Sequence, residues 1–192
     1  MYPIKKLIGN IKSGRGRRFL IYMLLEKIQR LLPYPNLRVA FLKLLGAKVA
    51  DDAIIHEIIF QNPYVNGFRN LIMESKASIQ PGCIIDLADK VILREMCTVS
   101  QGVIIMTHSD PGYKLGKPLA KIYQPYHKPV EIGKGVWIGA GAIIFPGVKI
   151  GELAVIGAGA VVLNDIPPKS VAVGVPARVV KSLRKVKPPH DD

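Results

Sequence analysis

The chain has 192 residues, 27 Lys or Arg against 14 Asp or Glu, a formal charge of +13 and 49% hydrophobic residues. That length supports one domain with a real core plus small appendages. Two cysteines, Cys83 and Cys97, exclude a disulfide framework and a paired zinc motif; the apolar run Phe19–Leu25 stops at Glu26 and Lys27, too short for a signal core or a bilayer span.

Residues 1–45 read as a basic segment containing an amphipathic helix. Residues 1–18 are basic and expected to be mobile. From Phe19 to Leu32 a helical period takes over, with Ile21, Leu24, Leu25, Ile28, Leu31 and Leu32 on one face, and Pro33 and Pro35 end it. A second short helix is expected over Leu37–Leu45, stopped by Gly46. Residues 1–50 hold eleven Lys or Arg and a single acid, Glu26. Such a cluster suits phosphate, anionic lipid or nucleic acid, and ordinary solvated faces explain it equally well. The helix either caps the open end of the repeat that begins near residue 46 or lies on an anionic membrane.

Residues 46–166 carry a repeat of six. Large aliphatic residues recur at Val49 and Ile55, at Met73, Ile79 and Ile85, and, after a two-residue slip, at Leu93, Val99 and Ile105. The comb resumes at Ile132 and runs through Ile138, Ile144, Ile150 and Ile156 to Val162. Four places after each tooth stands a smaller inward residue, among them Ala53, Ile59, Ala77, Cys83, Cys97, Ala142 and Ala160. Glycine comes directly after the tooth at Gly133, Gly139, Gly151 and Gly157, where a tight corner is expected. This period signals an all-β solenoid of short parallel strands, three hexapeptides to a triangular coil. Residues 107–130 interrupt it as an inserted loop. Residues 167–192 are expected to form a strand, a basic helix and a tail.

Chemistry must come from residues that the comb does not need. His108, in "IIMTHSDPG", lies where the solenoid releases its long loop, and histidine suits proton transfer near neutral pH. An ordinary surface histidine is the competing reading. His127, in the same loop, is the backup base; His56 sits at a corner and His190 in the tail. No three histidines converge at ligand spacing, so no metal is expected. Tyr113, Tyr123 and Tyr126 with Lys114, Lys117, Lys121 and Lys128 could meet a sugar and its phosphates, or simply solvate the loop. Trp137, the only tryptophan, takes an outward position on a small-residue scaffold and suggests a contact surface.

The segments "CIIDLADKVILREMCTVSQGVIIMTHS" and "PVEIGKGVWIGAGAIIFPGVKIGELAVIGAGAVVLNDIPPKSVAVGVPARVVK" resemble the hexapeptide-repeat acyltransferases. Within them the chain is similar to the branch of maltose and galactoside O-acetyltransferases and polysaccharide-biosynthesis acetyltransferases, over roughly residues 46–185. The resemblance implies a left-handed parallel β-helix and a homotrimer with acetyl-CoA in the groove between prisms. It makes His108 the general base and gives Trp137, Gly139, Ala140, Gly157 and Ala158 to the pantetheine groove. Arg178 and Lys181 would meet the CoA phosphates. Asp86 matches a position that contacts the acceptor, with Tyr113 and Tyr126 as further substrate contacts. Two departures stand out: "SIQPG" where relatives place an Asn before "CIID", the nearer asparagines being Asn62, Asn66 and Asn70, and Leu163 where relatives often have a hydroxyl residue.

The implied function is acetyl transfer from acetyl-CoA to a hydroxyl of a saccharide or glycan precursor in surface-polysaccharide synthesis. The expected location is the cytoplasm, with the inner membrane face as a variant. N-acetylation of a nucleotide-linked amino sugar and a non-catalytic scaffold role are the alternatives. Nucleic-acid binding is not expected, because no recognition motif accompanies the basic termini.

Overall fold

The computed structural model describes residues 14–112 and 118–183. After two helices, the chain passes in rotation through three parallel sheets, so that a strand pairs with the equivalent strand of the preceding coil. One sheet runs from Lys48–Val49 to Lys149–Ile150, the second from Ile54–Ile55 to Ser170–Val173 and the third from Ile59–Gln61 to Val161–Val162. The strands are two to five residues long, each filling one flat side of a coil.

The six-residue comb is the core. Ile79, Ile85, Leu93, Val99, Ile105, Ile132, Ile138, Ile144, Ile156 and Val162 are fully buried, and so are the smaller Ala77, Cys83, Cys97, Val103, Ala142, Ala154 and Ala160. Burying each large tooth contributes about 1.5–3 kcal/mol. The first coil departs from the comb. Ile59 is exposed, while Ile58 and Phe60 turn inward. Phe60 pairs with the tooth Ile85, so the tooth falls five residues after Ile55. The run Ile58–Ile59–Phe60 is apolar throughout, and only the strand register decides which two face the core.

The corners also divide labour differently from the expectation. The left-handed backbone sits three residues after the tooth, at Gly82, Gly102, Gly135, Gly141 and Gly159, and at Lys76, Met96 and Leu153 where no glycine is present. The amide four places after the tooth bonds the carbonyl one place after it, as in Ala77 to Glu74, closing a turn with positive φ at its third residue. The glycine directly after the tooth has another cause. A Cβ on Gly139 would stand 2.5 Å from the amide nitrogen of Ala158 on the next coil.

Helix α1 spans Gly14–Leu31 and α2 spans Pro35–Leu44. The first begins five residues earlier than the sequence suggested, inside the stretch expected to be mobile; the remainder of that stretch, residues 1–13, lies outside the described residues. Both helices pack on the first strands of the sheets and cover that end of the solenoid. Gln29 donates to the Ile58 carbonyl at 2.9 Å, and Arg38, Val39 and Leu42 are buried beneath α2. The packed face of α1 is not its apolar one: Tyr22, Leu25, Glu26 and Gln29 turn inward, whereas Ile21, Leu24, Ile28 and Leu31 face out.

At the other end, the basic helix expected within residues 167–192 is absent over the described part. Arg178–Ser182 is instead a strand, antiparallel to Ser170–Val173. Val179 and Val180 are β-branched and favour extended backbone, and the last parallel strand offers an open edge to pair with. Residues 184–192 lie outside the described residues.

Candidate active site

Stacked coils bring equivalent positions together at sheet spacing, however far apart they lie in sequence. Ile59–Gln61, Ile84–Asp86 and Ile104–Ile105 are adjacent strands of one sheet. Asn62, Asp86 and His108 stand at or just beyond their C-terminal ends and so converge.

His108 Nδ1 lies 2.6 Å from Asp86 Oδ2. The carboxylate is 2% exposed and the ring about one-third exposed. Every remaining acceptor direction of Asp86 is used. Oδ1 accepts from Asn62 Nδ2 at 2.7 Å and from the Ala88 amide at 3.1 Å; Oδ2 also accepts from the Thr107 amide and hydroxyl, both at 2.8 Å. Burial alone would raise the Asp86 carboxyl, but the hydrogen bonds from His108, Asn62 and Thr107 outweigh it and hold it below the ordinary value. Asp86 was expected to contact the acceptor. Its carboxylate is instead turned onto the histidine, which keeps the proton of the neutral ring on Nδ1 and leaves the Nε2 lone pair free to receive one.

A cleft of about 200 Å³ opens beside the ring, lined by Asn62, Tyr64, Val65, Ala88, His108, Asp110, Pro125 and His127. The inserted loop returns as a short antiparallel pair, His108–Ser109 with Tyr126–His127, so that the two imidazoles stack at 6.0 Å. Among the described residues no carboxylate pairs with His127, and it lacks the orientation that Asp86 gives His108. Tyr126 does not line the cleft; its ring lies by Tyr123 at 6.2 Å and under Lys128 Nζ at 5.5 Å. Tyr113, Lys114 and Lys117 lie outside the described residues.

Tyr64 and Val65 were not foreseen. Tyr64 donates to Asn62 Oδ1 at 3.1 Å and thereby aims the Asn62 amide at Asp86. Asn62 holds φ at +55°, a left-handed conformation that Asn tolerates better than most residues. The available signal was the gap in the comb before Met73, filled by the turn formers of "QNPYVNG".

The residues assigned to the pantetheine groove share one corner of the later coils. Trp137 is 54% exposed and donates from Nε1 to Ser100 Oγ at 3.0 Å. Ala140 and Ala158 stack on successive coils, the Gly159 amide bonding the Ala140 carbonyl at 2.8 Å. With no side chain larger than methyl there, a thin chain could lie against that corner. Gly139 and Gly157 have packing reasons of their own: Gly139 faces the next coil's backbone, and a Cβ on Gly157 would meet Val173 at 2.7 Å. Arg178 and Lys181 are both exposed. The register slips between Val171 and Ala172, so Arg178 lies opposite Val173 and Lys181 opposite Val171. This bulge returns both cations to one face of the strand, as three-residue spacing on a helix would have done. No group of three His, Cys, Asp or Glu that could hold a metal is found among the described residues.

A bacterial transferase hexapeptide family model (six repeats) matches residues 129–164. A galactoside O-acetyltransferase of Lactococcus lactis is 30% identical over 164 residues, covering 84% of this chain and 75% of its own. Against two other curated relatives, the chain spans only about half of their length, 44% and 58%. Among solved structures, a maltose O-acetyltransferase from Clostridium difficile superposes with a TM-score of 0.75 at 27% identity, covering 91% of each chain. A galactoside acetyltransferase in complex with coenzyme A has the same fold, with a TM-score of 0.66 at 24% identity over 96% of this chain and 92% of its own.

Proposed function

Because this chain belongs to the hexapeptide-repeat acetyltransferases, we propose that it moves an acetyl group from acetyl-CoA to a hydroxyl of a saccharide or glycan precursor. His108 is the general base. As the acceptor oxygen attacks the thioester carbonyl, Nε2 takes its proton; collapse of the tetrahedral adduct releases the CoA thiolate, which recovers that proton as the thiol. Asp86 steadies the imidazolium between the two transfers and holds the ring in place. Backbone amides near the attacked carbonyl would stabilise its oxygen. No covalent enzyme intermediate is called for, in keeping with two cysteines that are both buried in the core.

The observation that carries this reading is the buried Asp86 carboxylate bonded to a half-open His108 at the mouth of a cleft. At about 200 Å³ the cleft is smaller than a usual small-molecule site, which runs to roughly 300–1,000 Å³. The reading therefore includes the family's homotrimer, a neighbouring prism supplying the other wall; the left-handed winding goes with the likeness to the hexapeptide-repeat structures. Trp137, Ala140 and Ala158 would face the pantetheine arm, and Arg178 and Lys181 the phosphates. Surface-polysaccharide synthesis inside the cell is the setting that goes with such an acceptor.

Thermal unfolding with and without acetyl-CoA tests the donor site. A ligand at a hundred times its Kd adds about 2.7 kcal/mol to the native state. For a chain of this size that is roughly 5–10 °C. A saturable rise supports the reading, and a saccharide screen by mass spectrometry then identifies the acceptor. No shift at millimolar acetyl-CoA would abandon it.

A further inference from the structure

We propose that the outward face of α1 binds an anionic lipid surface. Its apolar stripe, Ile21, Leu24, Ile28 and Leu31, is turned away from the solenoid, with Leu31 82% exposed, and α2 exposes Leu37 and Leu44 as well. A stripe of this length along a helix runs about 15 Å, and folded monomers rarely present so continuous an apolar strip without a use. On α1 itself the exposed charge has one sign, although Glu57 of the first coil lies by Lys27 and Leu31, and Asp51 pairs with Lys43 of α2. Arg17 and Lys27 are exposed beside the stripe, whereas the helix's single acid, Glu26, is buried with its Oε1 3.3 Å from Arg30 Nε. The water-facing side of α1 thus carries cations and apolar groups alone, the combination that seats a helix at the boundary between headgroups and acyl chains. A second copy would bring the same cations face to face, so charge complementarity favours an anionic partner. The helix is not a span: none among the described residues is long and apolar enough to cross a membrane.

The first turns of α1 adjoin the cleft from the helix's other side. Phe19 packs edge-on against Tyr64 at 5.1 Å, and Arg18 donates to the Val65 carbonyl at 3.0 Å. Tyr64 and Val65 line the cleft. A bilayer on the far side of α1 would lie about one helix diameter, roughly 10 Å, from that wall. On the acetyl-transfer reading, a glycan tethered to lipid is then the acceptor best placed to enter.

The test is flotation of the full chain with vesicles of phosphatidylglycerol and phosphatidylcholine, against phosphatidylcholine alone. Neither donor nor acceptor is present, so its outcome is separate from that of the catalytic reading. Binding to the anionic vesicles only, weakened by salt, is expected. Arg17→Gln with Lys27→Gln should lower the partition by roughly thirtyfold, since each cation near such a surface is worth about fivefold. Leu24→Ser with Ile28→Ser should also release the protein. These positions are exposed, so the melting temperature and the response to acetyl-CoA should stay as in the parent. No binding to anionic vesicles, or binding untouched by both double variants, overturns the proposal. So does a change of sedimentation mass in the Leu24/Ile28 variant, which would make the stripe a subunit contact.

Discussion

Asp86 Oδ2 is 2.6 Å from His108 Nδ1, and all the other hydrogen bonds to that carboxylate also come from donors. An amide cannot replace such a group. In Asp86→Asn, whichever end holds the NH2 meets N–H or O–H groups that it cannot accept from. This variant should therefore lose turnover by misdirecting His108, with little change in KM for acetyl-CoA. His108→Ala should lose roughly 10²–10⁴ in kcat while still binding acetyl-CoA. Parent-like turnover in His108→Ala would discard the assigned base, and a loss confined to KM in Asp86→Asn would discard the positioning role.

The same carboxylate sets an acid limit on stability. Its pKa is held below the ordinary 3.8, so folding is favoured by the charged form above that value. The contribution is present at neutral pH and disappears as pH falls below about 4 and through the lowered native value. Urea unfolding at pH steps down to that range should show the parent losing stability more steeply than Asp86→Asn. Parallel slopes would mean that Asp86 is not the group responsible.

Replacing Arg178 and Lys181 together by Ala should weaken CoA much more than dephospho-CoA. Both cations lie on one face of the edge strand because of the bulge at Val171 and Ala172. Titration of the double variant with each nucleotide decides it. Equal weakening of the two would remove the contact to the ribose phosphate.

Burial pushes the Cys83 thiol up to about 11 and the Cys97 thiol up to about 12. Little thiolate exists near neutrality, so both should resist iodoacetamide in the native protein and react in urea. Native alkylation should leave any transferase activity intact. Rapid inactivation by the reagent would restore a role for a cysteine.

The solenoid was legible because burial and period coincide: a tooth such as Ile138 must face inward every sixth residue, and nothing else satisfies the pattern. The exceptions lay where that signal degenerates. At Ile58–Ile59–Phe60 three apolar residues compete for two inward places, and register, a long-range property, chooses. In α1 the periodicity was legible but not which face would pack: the neighbouring strand offers Gln29 the Ile58 carbonyl, and the apolar stripe is left outside. His108 could be picked out as a histidine beside a broken comb. Asp86 as its orienting partner could not, because their contact depends on how two coils stack.

That stacking gives a last, sharply placed prediction. A Cβ at Gly139 would meet the Ala158 amide nitrogen at 2.5 Å and the Gly157 carbon and Ile156 oxygen at 2.8 Å, all backbone atoms of the next coil. Relief requires the coils to separate, so Gly139→Ala should cost about 1–3 kcal/mol, as overpacking does. At Gly141, two residues on, φ is +67° and nothing lies within 4 Å of a built Cβ. Gly141→Ala should cost about 1–2 kcal/mol from left-handed backbone strain, without moving the coils. Unfolding at fixed protomer concentration, combined with hydrogen exchange at the amides of residues 137 and 139, separates the two. These amides bond the Ala154 and Ile156 carbonyls across the coils, and should lose protection in Gly139→Ala and keep it in Gly141→Ala. Protection unchanged in both would show that the glycine after the tooth is not what lets the coils close.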